Sequence, residues 1–371
     1  MIRWQIGEVV DIVADWGAIQ ELRVQVEGRL EKAWNFPELI GPVAKGETVL
    51  LNTTAVHLKL GTGGYHLVAQ RLGDRQAGAD GRVLRTPSIR GHIMKLRYTP
   101  FQLAVQSCEE QGSPWHETMK DATTLDGMPV LIGELHSMLP VLATGIRWLQ
   151  QTGRLPSDWR LVYIMSDGGA LPLALSHHIR TLQSLGWLAG TVTYGHAFGG
   201  QLEAVNVYSA LLAAKHVLKA DVAILIMGPG TVGTGTAWGF SGVEVADMIH
   251  ATFSLEGRPC LVPRISFADG RARHQGISHH QRTLIARAIH VPFHYTIPPY
   301  AGREELLIRQ QLRELDGSKA IIQRRAVIGR DELEKVLALY PGDDLTVMGR
   351  DVKADPAYFW GVVNGLAPLV H

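Results

Sequence analysis

The stretch that decides the fold is DVAILIMGPGTVGTG, residues 221–235, an apolar run that leads directly into a glycine-rich loop. A run of Val, Ala, Ile, Leu and Met without alternation is typical of a parallel strand covered on both faces. Strands predicted at 159–165, 188–194 and 260–267 are separated from it by helical patterns. Strand–helix alternation predicts a Rossmann-like α/β domain, a doubly wound, mostly parallel sheet, which we place at residues 86–371. Its helices are predicted at 130–150, 171–185, 201–218, 243–254, 277–289, 303–315 and 330–339.

Residues 1–85 have a different pattern, with several short β-rich runs separated by turns that contain Gly and Asp. Apolar and polar residues alternate at 22–27, and further runs lie at 6–13, 49–51 and 65–68. This pattern predicts a small N-terminal β-barrel, either OB-like or SH3-like. The polar, glycine-rich stretch 71–82 is either a long hairpin loop or the domain boundary.

The composition excludes several classes of function. Lys and Arg number 36 against 35 Asp and Glu, a net charge of +1, which argues against nucleic acid or a membrane surface as partner. Two cysteines are too few for a disulfide framework. No apolar run reaches the ~18 residues of a membrane helix, and the first residues lack a signal-peptide core. We expect a cytoplasmic protein, and the low charged fraction of 19% favours a homo-oligomer.

Four polar loops follow predicted strands of the α/β domain. They are 166–169, 195–200, 228–235 and 268–274, and three of them directly precede predicted helices. Thirteen of the 40 glycines fall between residues 168 and 242. Ligands of open parallel sheets bind beyond the carboxyl ends of the strands. The sequence therefore predicts a ligand site at one edge of one sheet.

The loop after residue 227 matches G-x-G-x-x-G, which lets backbone N–H groups approach a phosphate. Three interpretations remain open: a tight turn that packs a helix on the sheet, a site for phosphate or carboxylate, and an NAD site. Against NAD, the nearest candidate acidic residue, Asp269, lies 36 residues beyond Gly233 (269 − 233). No Gly-Lys-Ser/Thr follows, so this is not a Walker loop. The predicted anion-binding residues are Gly228, Gly230, Thr231, Gly233, Thr234 and Gly235.

Asp167 and His196 are the predicted acid–base pair. Asp167 follows a strand and could act as a base, bind a metal ion or orient a substrate hydroxyl. An equal alternative is that it caps the N-terminus of the following helix. His196 lies among glycines at another strand end and suits proton transfer near neutral pH, or else it is a loop residue bound to a backbone carbonyl. The predicted ligand contacts around them are Ser166, Gly168, Gly169, Gly199 and Gly200.

The densest polar cluster lies in the fourth loop and the residues after it. Two arginines beside a glycine suit a carboxylate or phosphate, and we expect Arg271 to neutralise the ligand. Several histidines near an aspartate suggest a metal, but no HExxH motif is present, so no metal or cofactor is assigned. A solvated loop is the alternative. The cluster comprises Asp269, Arg271, Arg273, His274, His279 and His280, of which Asp269, Arg271 and His274 are the predicted ligand contacts.

Five segments together resemble a known family: LLNTTAV (50–56), LGTGGY (60–65), HIMKLRYTP (92–100), SDGGALP (166–172) and the loop 228–235. They are similar to an uncharacterised bacterial family known as domain of unknown function 3866, nearly from end to end. The resemblance implies a bacterial cytoplasmic protein and carries over no activity or catalytic residue.

The function expected from the residues is an enzyme that binds a small anionic or phosphorylated ligand at the sheet edge. The alternative is a non-catalytic ligand-binding or regulatory protein that uses the same glycine-rich loop. A purely structural oligomer subunit is a third possibility.

Overall fold

The computed structural model describes residues 2–60, 63–72, 91–342 and 345–370. The described residues of 1–90 and 96–105 form one compact unit, and those of 91–95 and 106–371 form the other. The expected boundary between residues 85 and 86 lies outside the described residues, as does most of the polar stretch 71–82.

The strands are β1 (Trp4–Asp15), β2 (Gln20–Val26), β3 (Arg29–Asn35), β4 (Thr48–Asn52), β5 (Tyr65–Arg71), β6 (Ile93–Lys95), β7 (Leu103–Val105), β8 (Pro129–Gly133), β9 (Leu161–Ser166), β10 (Gly190–Tyr194), β11 (Leu202–Ala204), β12 (Val222–Met227), β13 (Arg258–Leu261), β14 (Ile265–Ser266), β15 (Gly276–Ile277), β16 (Phe293–Ile297) and β17 (Ala320–Arg324).

The α-helices are α1 (Pro37–Ile40), α2 (Thr54–His57), α3 (His116–Lys120), α4 (Met138–Gln151), α5 (His177–Ser184), α6 (Val207–Leu212), α7 (Val245–Ser254), α8 (His279–Thr283), α9 (Gly302–Arg313), α10 (Leu333–Leu337) and α11 (Pro356–Asn364). Single 3₁₀ turns lie at Leu173–Leu175, Ser241–Glu244, Ala272–His274 and Ala367–Leu369, and π turns at Ala213–Val217 and Leu284–Ala288.

The first unit contains a closed barrel of five strands in the order β1-β2-β3-β5-β4. β3 and β5 are parallel, and the other neighbours are antiparallel. This closed five-stranded order matches the OB-like alternative. Alternate residues of the strands point inward and form a small core, which includes Val9, Leu22, Val24, Val49 and Leu51.

The second unit is built on eight parallel strands in the order β11-β10-β9-β12-β8-β13-β16-β17. Every position of the central strands β8, β9 and β12 is buried, which is why their sequences are continuous apolar runs. α4 contacts α5, α10 and α11, whereas α6 contacts α7. The crossover from β8 to β9 and the crossover from β12 to β13 run in opposite directions along the sheet. Because such crossovers are right-handed, their helices α4 and α7 lie on opposite faces. The expected doubly wound α/β fold preceded by a small barrel is confirmed.

Several predicted elements have different bounds in the structure. The single helix expected at 130–150 is the strand β8 followed by α4, because a short buried strand and a buried helix have the same apolar pattern. The helix expected at 201–218 begins with the edge strand β11. The strand expected at 260–267 leaves the sheet after Leu261, next to Pro263, which has no N–H to donate, and β14 pairs with β15 instead.

The strand order defines where a ligand crevice lies. β8 and β12 are neighbours, yet the chain leaves β8 toward one edge of the sheet and leaves β12 toward the other. Open α/β sheets bind ligands at such a reversal, beyond the carboxyl ends of the strands. Among the helices of the described residues, none has the length and apolar character needed to cross a membrane.

Candidate functional site

The loops beyond the carboxyl ends of the strands contact one another in series. The Asp167 carboxylate accepts a hydrogen bond from the backbone N–H of His196 at 2.9 Å. The backbone N–H of Ala170 donates to the carbonyl of Pro229 at 2.7 Å. Further along the glycine-rich loop, the Cβ position of Gly235 lies 3.9 Å from Cζ of Arg273, which belongs to the loop 268–274. The four loops therefore form one continuous edge.

Three glycines of this edge have no free space at the position of a Cβ. A Cβ on Gly168 would overlap the carboxylate of Glu244, and a Cβ on Gly169 would overlap the carbonyl of Gly228. A Cβ on Gly228 would in turn overlap the carbonyl of Ala170. The first glycine of the G-x-G-x-x-G pattern thus packs two loops together, whereas the first interpretation of that motif was the packing of a helix on the sheet.

The rest of the glycine-rich loop folds on itself. The N–H of Val232 donates to Oγ of Ser241 at 3.1 Å, and that of Thr234 donates to the carbonyl of Gly239 at 2.8 Å. Helix α7 begins 12 residues after Gly233 (245 − 233), with a 3₁₀ turn before it. The third glycine therefore does not lie at a helix N-terminus, as it does in a dinucleotide fingerprint.

The loop 195–200 is held by a buried lysine. Nζ of Lys95 donates to the carbonyl of Ala197 at 2.8 Å and lies 3.1 Å from Oε2 of Glu203. Oε1 of Glu203 accepts from the N–H of Gly199 at 2.7 Å, and the N–H of Gly200 donates to Thr193. The amides of these two predicted ligand contacts are thus already bound within the protein. This loop leads into the strand β11 and not into a helix.

A carboxyl group with a strongly raised pKa lies at the end of β9. Oγ of Ser166 donates to Oε1 of Glu244 at 2.5 Å. Burial raises the pKa of Glu244 from 4.5 to about 7, and the negative charges of Asp167 and Asp247 add to the rise, while the Ser166 hydrogen bond opposes it. Burial, with the nearby charge of Glu244, also holds the pKa of Tyr194 well above its ordinary value. In the described part of the chain, neither Glu244 nor Asp167 has an ion-pair partner.

A second carboxylate, fully buried, follows β8. Oε1 of Glu134 lies 3.3 Å from Nη1 of Arg264, and Oε2 lies 3.4 Å from Nδ1 of His280. Burial alone would raise the pKa of Glu134, but the charge of Arg264 and the contact with His280 outweigh it and lower the pKa. The ring of Phe240 stacks on His280 with 4.0 Å between centroids and 2° between planes. These contacts fix the imidazole beside the glycine-rich loop.

The fourth loop connects β14 to β15 and does not follow a strand of the main sheet. Arg271 donates to both oxygens of Asp269, from Nε at 2.9 Å and from Nη2 at 2.8 Å. These hydrogen bonds hold the pKa of Asp269 far below its ordinary value. The guanidinium of Arg271, which we expect to neutralise a ligand, is thus bound to Asp269 through Nε and Nη2. His274 is buried, which lowers its pKa to about 3, and its Nδ1 lies 3.0 Å from Oγ of Ser278.

A cavity of about 260 Å³ opens where β8 and β12 end. Gly230 and Thr231 line it on one side and His136 and Ser176 on the other. Nε2 of His136 lies 2.6 Å from Oγ of Ser176, and burial lowers the pKa of His136 to about 4. The histidine is therefore neutral near pH 7. The cavity lies at the reversal of strand order, where the sheet rule places a ligand.

Sequence reasoning missed Glu134, His136 and Glu244. The first two follow β8, whose apolar pattern predicts a helix, so neither residue lies at a predicted strand end. Glu244 ends a 3₁₀ turn far along the chain from Ser166, and only the fold brings the two together. The predicted pair Asp167 and His196 is in contact, through the Asp167 carboxylate and the His196 backbone.

Residues 32–365 match the model of the family described as "Protein of unknown function (DUF3866)". The chain belongs to this family, and the match includes every residue of the edge described above. No curated protein matches the chain.

Proposed function

We propose that this protein is an enzyme that carries out acid–base chemistry on a small ligand with an anionic group, bound at the carboxyl edge of the parallel sheet. The observation that carries the proposal is the carboxyl group of Glu244, which is enclosed at the end of β9, bonded to Ser166 and shifted to a pKa of about 7. General acid–base groups work best when their pKa lies near the working pH. Burial combined with like charge is how enzymes produce such a shift.

The charges along the edge support one orientation of the ligand. Asp167, Glu244 and Asp247 make one end negative, so an anionic group is repelled there. At the other end, Cζ of Arg273 lies 3.9 Å from the Cβ position of Gly235. We therefore place the anionic group, a phosphate or carboxylate, near Arg273, and the reacting atom near Glu244.

The glycine-rich loop links the two ends, since it contacts Ala170 through Pro229 and lies beside Arg273 at Gly235. In this proposal Asp167 keeps the pKa of Glu244 high and His196 is the second proton-transfer candidate. Gly230 and Thr231, which line the cavity, supply ligand contacts.

The test begins with a thermal-shift screen of small phosphorylated and carboxylated compounds, followed by NMR detection of conversion. We expect wild type and Glu244→Gln to bind the same compound, with conversion slowed about 100-fold or more in the variant. Binding without conversion by wild type would favour the non-catalytic ligand-binding or regulatory alternative. Conversion by the variant at the wild-type rate would exclude Glu244 as the acid–base group.

We also propose that the protein acts in the cytoplasm, without nucleic acid or membrane as partner, and self-associates as a homo-oligomer. The even charge balance supports the exclusion of these partners, and the charged fraction of 19% supports self-association. Light scattering of the purified protein measures the oligomeric state directly.

A further inference from the structure

Three histidines converge beside the glycine-rich loop. His274 ends a 3₁₀ turn before β15, and His279 and His280 open α8. One nitrogen from each ring lies within 4.8 Å of the other two. The ring centroids are 4.3 to 5.2 Å apart, and the rings are tilted or perpendicular to one another. This is the arrangement of groups that converge on a point between them.

The hydrogen bonding of the cluster is incomplete. Both ring nitrogens of His279 are buried and have no hydrogen-bond partner. Both carboxylate oxygens of Glu134 are also buried without a hydrogen-bond partner. A buried polar group left unsatisfied costs about 1–3 kcal/mol. An ion bound by one ring nitrogen of His279 would remove that cost for that nitrogen.

The remaining nitrogens of two rings already have polar neighbours. Nδ1 of His274 lies 3.0 Å from Oγ of Ser278, and Nδ1 of His280 lies 3.4 Å from Oε2 of Glu134. The His274 contact leaves Nε2 for a ligand. Nδ1 of His280 also lies 3.2 Å from Nη1 of Arg264, so a metal ion at its Nε2 requires Nδ1 to carry the proton and to turn it toward Glu134 instead of accepting from Arg264. Metal-binding histidines typically hold their other N–H against a carboxylate or another oxygen, which fixes the ring.

We propose that His274, His279 and His280 bind one divalent transition-metal ion, for which Zn²⁺ is the first probe. Three imidazoles suit Zn²⁺, which binds nitrogen at about 2.0–2.1 Å and so requires ligand nitrogens about 3.3 Å apart. Small side-chain rotations bring nitrogens at most 4.8 Å apart to that spacing. A fourth position remains for water or for an anionic group.

The neighbouring charges set the strength of the site. Arg264 opposes a bound cation, because its Nη1 lies 3.2 Å from Nδ1 of His280. The buried carboxylate of Glu134 offsets that charge. Metal binding requires neither Ser166 nor Glu244, so this inference and the proposed acid–base function can fail independently.

The experiment uses full-length protein stripped of metal with a chelator and then titrated with Zn²⁺ by calorimetry and with Co²⁺ by visible absorption. We expect one ion per chain and a Co²⁺ spectrum of nitrogen ligation. His274→Ala, His279→Ala and His280→Ala should each weaken binding at least about 10-fold, and Glu134→Gln by about 10–100-fold.

His290→Gln is the matched control, because His290 is exposed and its ring centroid lies 6.0 Å from that of His250, outside the cluster. Its affinity should equal that of wild type. Absence of Zn²⁺ and Co²⁺ binding by wild type would overturn the proposal, as would wild-type affinity in all three histidine-to-alanine variants or an equal loss in the control. The wild-type stoichiometry and spectrum decide the question even where circular dichroism shows a variant to be unfolded.

Discussion

The raised pKa of Glu244 predicts a pH-dependent contribution to stability. In the unfolded chain its carboxyl titrates near 4.5, whereas in the folded protein it titrates near 7. The protonated form is therefore favoured by folding, so the carboxyl's contribution is fully present below pH 4.5 and is lost as the pH rises through 7. At about 1.4 kcal/mol per tenfold change in proton affinity, the loss amounts to about 3 kcal/mol above pH 7.

Glu244→Gln isolates this effect, because the amide stays neutral and its oxygen can still accept from Ser166. We expect the variant and wild type to have similar free energies of unfolding at pH 4.5. At pH 8 the variant should be more stable by about 3 kcal/mol, since only the wild type then carries a buried charge. Adding Asp247→Asn to the wild type should lower the pKa of Glu244 and reduce the pH dependence, because Asp247 is one of the charges that raise it.

The assay is urea denaturation at closely spaced pH values, followed by tryptophan fluorescence and circular dichroism, with coincident transitions establishing a single unfolding step. Glu334→Gln serves as the control for the loss of a carboxylate, because Glu334 is exposed in α10. A stability difference between Glu244→Gln and wild type that stays constant within about 0.5 kcal/mol from pH 4.5 to 8 would refute the reasoning.

Two further predictions concern the packing that holds the edge together. Gly169→Ala should destabilise the protein by about 1–3 kcal/mol, because the new Cβ overlaps the rigid backbone carbonyl of Gly228. Gly270 has open space at the position of its Cβ, so Gly270→Ala should change the free energy of unfolding by less than about 0.5 kcal/mol in the same assay. Equal destabilisation by the two substitutions would contradict the overlap at Gly169. Lys95→Met should cost about 3–5 kcal/mol, because it leaves Glu203 buried without its cation. Adding Glu203→Gln should recover part of that loss in a double-mutant cycle, and purely additive losses would show that the two side chains are not coupled.

The sequence predicted those elements whose pattern is unambiguous. Val222–Met227 has no alternation and lies between a polar residue and a glycine, so its assignment to a buried parallel strand was confirmed. Pro129–Gly133 is equally buried, but a long apolar helix begins only five residues after it. The apolar pattern therefore predicts a single helix that covers both elements. Local periodicity contains no information that separates a buried strand from a buried helix at this length.

The site was less predictable than the fold, because its geometry depends on strand order. β8 lies beside β12 although 88 residues of chain separate their ends (222 − 133 − 1). The chain between β8 and β12 forms the strands on one side of the sheet, and its return creates the reversal of strand order. Glu134, His136 and the glycine-rich loop follow the two strands at this reversal. The pKa of Glu244 likewise results from burial and from the charges of Asp167 and Asp247, of which only Asp247 lies near residue 244 in the sequence.

The glycines of the edge divide into two groups with different physical roles. Gly169 and Gly228 have no room for a Cβ beside backbone carbonyls, so they are required by the packing of loops whether or not a ligand binds, whereas a Cβ on Gly168 would meet only the end of the Glu244 side chain. Gly230 has open space around the position of its Cβ, and a φ of +105° favours glycine there. The glycine count and the full G-x-G-x-x-G pattern therefore do not by themselves indicate a ligand. The residues from Gly230 onward, the charges at the two ends of the edge and the proton affinity of Glu244 are the features that favour ligand binding.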